Sequence, residues 1–143
     1  MNTRIFVIGF VAAMAAVVAA SVYLSFTVEP AEKAIIAVKS PDGRYKAVRE
    51  RLTREDDPKF CADSIAVFLA VYPDSFIESD KVYEVYAAPC ATITGSVPLP
   101  EMQWLSNTEL RITYSPPPAP DRVKMKMKPI DPSKYVHIEY VAR

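Results

Sequence analysis

From residue 5 to residue 28 the chain carries no charge, and from residue 34 onward apolar and polar side chains alternate in short runs broken by turn residues. The first pattern predicts one long helix and the second a series of strands. The opening run is 24 residues long. At ~1.5 Å rise per residue it makes a helix of roughly 36 Å, enough to cross a hydrocarbon core of about 30 Å with some tilt. Its rival reading is a cleaved secretory signal, because Arg4 precedes it and Val18-Ala19-Ala20 stand before Ser21. Apolar residues continue past that point through Val22, Tyr23, Leu24, Phe26 and Val28, further than a signal core of about 7 to 15 residues. A retained anchor is therefore expected over residues 1–28. No cysteine stands near the end of the run, so lipid attachment is not expected.

Arg4 lies before the run and Glu29, Glu32 and a single Lys33 lie after it. That asymmetry keeps the amino terminus in the cytoplasm. It predicts a single-pass protein of the inner membrane whose remaining residues, 29–143, face the periplasm or the cell exterior.

The strand pattern can be followed in order. Residues 34–38 are apolar, Ser40-Pro41-Asp42-Gly43 supplies a turn, and residues 45–52 resume with β-branched and aromatic side chains, which makes a hairpin. Residues 53–59 are polar enough for an exposed loop. Residues 64–72 are apolar on both faces, as expected for the strand at the centre of a sheet. After a loop at 73–80, residues 81–88 alternate as a half-buried strand. A second hairpin joins 101–105 to 109–114 around Ser106-Asn107-Thr108, with Leu110, Ile112 and Tyr114 on one face. Trp104, the only tryptophan, is expected as a core aromatic rather than a ligand platform. The proline-rich residues 115–120 cannot donate to a ladder and read as a stiff polyproline-II link. Two further strands are expected, one with Val123, Met125 and Met127 alternating with lysines and one over residues 135–141. The fold class is thus mainly β: a transmembrane helix followed by a small antiparallel β-sandwich or meander.

Composition narrows the function. Of the 17 Lys+Arg only Arg4 precedes residue 29, leaving 16 basic against 17 acidic side chains in the domain. That balance offers nothing to nucleic-acid phosphates. Three glycines in all, one inside the apolar run, argue against a phosphate-cradling loop. About 115 residues suffice for one domain with a modest core.

The stretch from Ser40 to Val48, a cysteine ahead of an apolar strand, Trp104-Leu105, Leu110-Arg111-Ile112-Thr113-Tyr114 and the closing Val136-x-Ile138-x-Tyr140 together resemble a group of small uncharacterised bacterial envelope proteins. The resemblance implies an N-terminal apolar segment and one β-rich domain, and it brings no activity with it. Cys90 and the proline-rich insert depart from the group's pattern. The Ser-Pro-Asp-Gly turn is also similar to that of propeller repeats such as those of the periplasmic Tol system, but one copy cannot close a propeller.

Candidate chemistry is sparse. Cys61 and Cys90 both follow the apolar run, so an oxidising compartment makes a disulfide the default and two buried thiols the alternative. His137 is the only histidine, too few for a zinc site, and no Cys-x-x-Cys spacing is present. A triad of His137, Ser64 or Ser96, and Asp63 can be written down without a motif behind it, and no catalytic residue or cofactor is expected. Glu55, Asp56 and Asp57 lack the glycine-centred loop of a calcium site and read as a solvated cluster.

Two functions stay open: a membrane-anchored, extracytoplasmic, non-catalytic β module for protein interaction or accessory-subunit work, or a binding domain for a small molecule or envelope component. The candidate partner surface is Pro116, Pro117 and Pro118 with Arg122, Lys124, Lys126 and Lys128, a stiff basic ridge suited to an acidic protein face or anionic head groups. Its alternative is an edge strand whose lysines prevent sheet-to-sheet aggregation.

Overall fold

The computed structural model describes residues 13–14, 16–18, 32–57 and 59–143, and the chain divides into two units, Met1–Pro30 and Ala31–Arg143. In the first unit residues 13, 14 and 16–18 are helical. Among the described residues no helix is long and apolar enough to cross a membrane, and most of the expected span lies outside them.

The second unit is built from β-strands. Five of them, β1 (Glu32–Lys39), β2 (Tyr45–Thr53), β3 (Cys61–Leu69), β4 (Glu84–Pro89) and β9 (Lys126–Met127), form one antiparallel sheet in the order β1-β2-β3-β4-β9. Its central strand is β3, as its two-sided apolar pattern requires. A second sheet has the order β10-β8-β7, from β7 (Glu101–Trp104), β8 (Glu109–Tyr114) and β10 (His137–Ala142). Between them β5 (Ala91–Thr92) and β6 (Gly95–Ser96) make a small ribbon.

The first hairpin follows from turn chemistry. The Ser40 carbonyl accepts from the Gly43 N–H at 2.8 Å, and Gly43 sits at φ +70°, where a Cβ would be strained. The Ser40 side chain, buried beside the turn, takes the Tyr45 N–H at 3.0 Å. The Asp42 N–H reaches Asn107 Oδ1 at 3.1 Å, tying this turn to that of the β7–β8 hairpin.

Strand alternation then sorts the core. Tyr45 and Ala47 of β2, Ile65 and Val67 of β3, and Tyr86 and Ala88 of β4 meet Leu110 and Ile112 of β8 with Val136 and Ile138, so the two sheets share one cluster. Trp104 packs against it half-buried, its Nε1–H donating to the Val38 carbonyl at 2.9 Å. On the other face of the larger sheet, Val48, Ala66 and Phe68 are covered by Ile77, Phe76 and Tyr83. A register shift at Ile65/Ala66 lets Val85 and Tyr86 both enter the first cluster.

Several expected elements need correction. Residues 73–80 are not a plain loop: Phe76–Ser79 form a short helix, α1, whose Ile77 is buried. The strand expected over 81–88 begins only at Glu84, because Lys81–Tyr83 turn as a 3₁₀ helix with the Asp80 carboxylate accepting from the Val82 N–H at 2.9 Å. The strand expected around Val123 is reduced to Lys126–Met127, and Ala119–Lys124 are 3₁₀. Prolines at 118 and 120 fix φ and remove two donors, which a turn tolerates and a ladder does not. The domain is also not wholly antiparallel. β10 lies parallel to β8, from His137↔Glu109 to Ala142↔Tyr114. The chain leaves β8, pairs briefly as β9 in the other sheet and returns, and such a long crossover is what a parallel pair requires.

Candidate functional site

The cysteines are the clearest site. Cys61 opens β3 and Cys90 follows β4, so antiparallel pairing places them opposite one another, with the Cys90 N–H on the Cys61 carbonyl at 3.0 Å. Their sulfurs are bonded, with Cα atoms 5.0 Å apart.

Of the residues offered for a triad, Asp63 and Ser96 have other partners. Asp63 is buried and holds Arg51 across the β2–β3 ladder in a two-pronged pair, Nε to Oδ1 at 2.6 Å, with Nη2 to the second oxygen. Arg51 also donates to Ser96 Oγ at 3.3 Å and to the Val97 carbonyl at 3.0 Å. This makes Asp63 and Ser96 part of a cross-strand clamp that fixes the loop after β6. Ser64 neighbours Asp63 on β3 and faces the opposite side of the sheet. His137 lies on β10, where it pairs with Glu109 in the other sheet. Among the described residues no group of three or more His, Cys, Asp and Glu comes together as a metal-holding cluster, and Asp57 uses one oxygen to accept the Lys59 N–H at 3.1 Å.

The segment 116–128 does not present its charges as one row. Pro117 is buried and its carbonyl accepts from Arg122 Nε at 3.2 Å; Pro116 is half-buried and Pro118 exposed. Lys124 pairs with Asp121 at 2.7 Å, Lys126 with Glu84 at 3.2 Å, and Lys128 Nζ donates to the Val82 carbonyl at 3.0 Å. Arg122 and Lys124 stand on the 3₁₀ turn, and only Lys126 is on β9, at one edge of the larger sheet. The exposed Lys124–Asp121 pair is worth about 0–1 kcal/mol and presents little barrier to re-pairing with a partner, whereas Lys126 is the close counter-charge of the buried Glu84.

The opposite edge is β1. It runs for eight residues, and among the described residues it pairs only with β2. The Ser40 N–H bonds the Tyr45 carbonyl at 2.9 Å, so strand alternation turns the backbone groups of Val38, Ile36 and Ala34 toward β2 and those of Ala37 and Ile35 outward. The Ile36 side chain is half exposed. The lysines around β9 mark that strand as an edge in the sequence, but nothing there marks β1, since order in a sheet is set by long-range pairing.

A cleft of about 250 Å³ opens where β2 begins and β3 ends. Arg44, Tyr45, Phe68, Tyr72, Tyr83 and Tyr135 line it. These residues are scattered over more than ninety positions, and the sequence offers no spacing that gathers them.

Comparison of the chain with protein-family models, with curated proteins and with solved structures finds no match.

Proposed function

We propose that the chain is a single-pass protein of the bacterial inner membrane, held by residues 5–28, whose extracytoplasmic β domain is a non-catalytic module that engages an envelope protein. Support for the compartment comes from the charge-free run with its basic flank and from the Cys61–Cys90 bond, which persists in oxidising surroundings.

The observation that carries the interaction reading is the open edge of β1. An eight-residue strand that, among the described residues, is laddered on one side only offers outward N–H and C=O groups as a template for another chain. β9 has two residues and flanking lysines, a poor template by comparison. The partner therefore adds a strand at β1, and the basic groups of Arg122, Lys124, Lys126 and Lys128 serve as a second, electrostatic contact with an acidic face.

Proline substitution separates the two sides of β1. Ala37→Pro removes an outward N–H and leaves the ladder to β2 in place, so co-purification of the partner from solubilised membranes is expected to be lost with little change in melting temperature. Ile36→Pro removes an inward N–H and is expected to destabilise the domain by about 1–3 kcal/mol. Undiminished capture by Ala37→Pro contradicts the β1 reading. For the basic segment, joint replacement of Lys124 and Lys128 by Gln, which leaves the Lys126 pair with buried Glu84 intact, is expected to weaken capture without lowering the melting temperature. Unchanged capture with more aggregation means that the lysines only guard the edge.

A further inference from the structure

The cleft at the β2–β3 end has a chemistry of its own, and it stands whether or not β1 takes a partner. Its walls are aromatic and mutually fixed. Phe76 stacks on Tyr72 at 4.6 Å between centroids and packs at 5.4 Å from Tyr83 and 5.3 Å from Phe68, so the side of the cleft that carries Tyr72 and Tyr83 is one preformed block. Across from it the loop before β10 presents Tyr135, 61% exposed. Tyr72 is 40% exposed, while Tyr45 and Phe68 form a buried floor.

The polar groups of the cleft are unequal. Asp131 is buried and already accepts from the N–H groups of Ser133, Tyr135 and Val136 at 3.0, 3.0 and 2.8 Å, and from the Ser133 hydroxyl. Four donors occupy its oxygens and leave it to hold the loop, in which Lys134 adopts φ 65°. Arg44 is different. Its guanidinium lies 5.7 Å from the Tyr45 ring and 5.9 Å from the Tyr135 ring, and among the described residues no carboxylate is within ion-pair distance of it. The nearby Asp42 carboxylate is engaged by the Ser40 hydroxyl and the Arg44 N–H. Lys46, by contrast, spends its charge on Asp74.

A planar fork of N–H donors beside two aromatic rings, with no salt-bridge partner among the described residues, is a receptor for a carboxylate. Flanking aromatic faces take up the apolar face of a ring, and the volume lies just under the ~300 Å³ at which ligand pockets ordinarily begin, so one ring fits rather than a chain. We propose that this cleft binds a single six-membered ring bearing a carboxylate, with Arg44 on the carboxylate and Tyr72 and Tyr135 on the ring. Two sources share that chemistry, an acidic sugar and an aromatic acid.

The test titrates the full-length protein in detergent with glucuronate and with benzoate, each beside its neutral counterpart, glucose or benzamide, by saturation-transfer NMR. At least one acid is expected to bind ten-fold or more tighter than its neutral counterpart; glucuronate alone identifies the sugar source and benzoate alone the aromatic one. Arg44→Gln is expected to erase that preference, and Tyr135→Ala to weaken acid and neutral ligand alike. Should Arg44→Gln not fold, Arg44→Lys, which keeps the charge and loses the fork, is expected to bind the acid several-fold more weakly. Equal binding of acid and neutral ligand, full acid binding by a folded Arg44 variant, or no binding of either acid overturns the proposal.

Discussion

At the scale of single residues the domain depends on a few polar groups whose environment leaves no substitute. Asp63 is the sharpest case. Its side chain is 1% exposed and that of Arg51 12%, so Asp63→Ala leaves a guanidinium nearly buried without its counter-charge. Loss of one member of such a pair costs about 3–5 kcal/mol, a large part of the ~5–15 kcal/mol that holds a domain together. Urea unfolding of the variant is expected to show a loss of that order, and a loss below ~1 kcal/mol contradicts the clamp. The tyrosines at the shared core behave differently. Burial, the first cause for both, pushes the Tyr86 and Tyr140 hydroxyls well above their ordinary value of 10.0, with the Asp63 charge adding to Tyr86. The Tyr140 hydroxyl also lies 2.7 Å from the Val85 carbonyl and 2.9 Å from that of Lys128. In each case the folded state holds the proton more tightly than the unfolded chain. Their contribution is therefore complete below about pH 10 and falls as pH rises past that point. Stability measured in alkaline buffers is expected to decline above pH ~10, with these two tyrosines ionising only on unfolding; ionisation of all eight in the folded protein contradicts this. Little of this was legible in advance. Asp63 reads in sequence as an acid beside a serine, and only the β2–β3 register, Arg51↔Asp63, shows what it meets.

At the scale of elements the legible parts are those decided within about ten residues. Both hairpins are found where turn chemistry and alternation put them, and β3 is central because its run is apolar on both faces. What escaped is set by distant contacts. The helix α1 has four residues and exists because Ile77 and Phe76 cover Val48, Ala66 and Phe68. The alternation of Val136, Ile138 and Tyr140 fixes the inward face of β10 but carries no information on direction, so its parallel pairing with β8 was not predictable from it. The disulfide belongs to this scale, since it fastens neighbouring strands at one end. For a loop closed across 29 positions the chain-entropy account gives about 3.6 kcal/mol. The double variant Cys61→Ala, Cys90→Ala is expected to lose that much in chemical unfolding, and the unreduced, denatured protein is expected to take up no thiol label. Two labelled cysteines contradict the bond.

At the scale of the molecule the proposal of an extracytoplasmic working face rests on an apolar run, a disulfide-bonded domain and a sheet edge that is open among the described residues. The order along the chain matters, because β1 is the first strand after the run and begins at Glu32, four residues beyond Val28. The candidate partner residues were legible as composition only. Prolines and lysines stand out in the sequence, whereas their pairing with Asp121, Glu84 and the Val82 carbonyl, and the opposite edge at β1, required the sheet order. The most direct measurement is protease accessibility in intact spheroplasts carrying the full-length protein. The account predicts that added protease removes the domain from about residue 30 onward and leaves a short amino-terminal fragment in the membrane. A domain that stays protected until the membrane is lysed, or a mature chain that begins at Ser21 and washes free of the membrane, contradicts it.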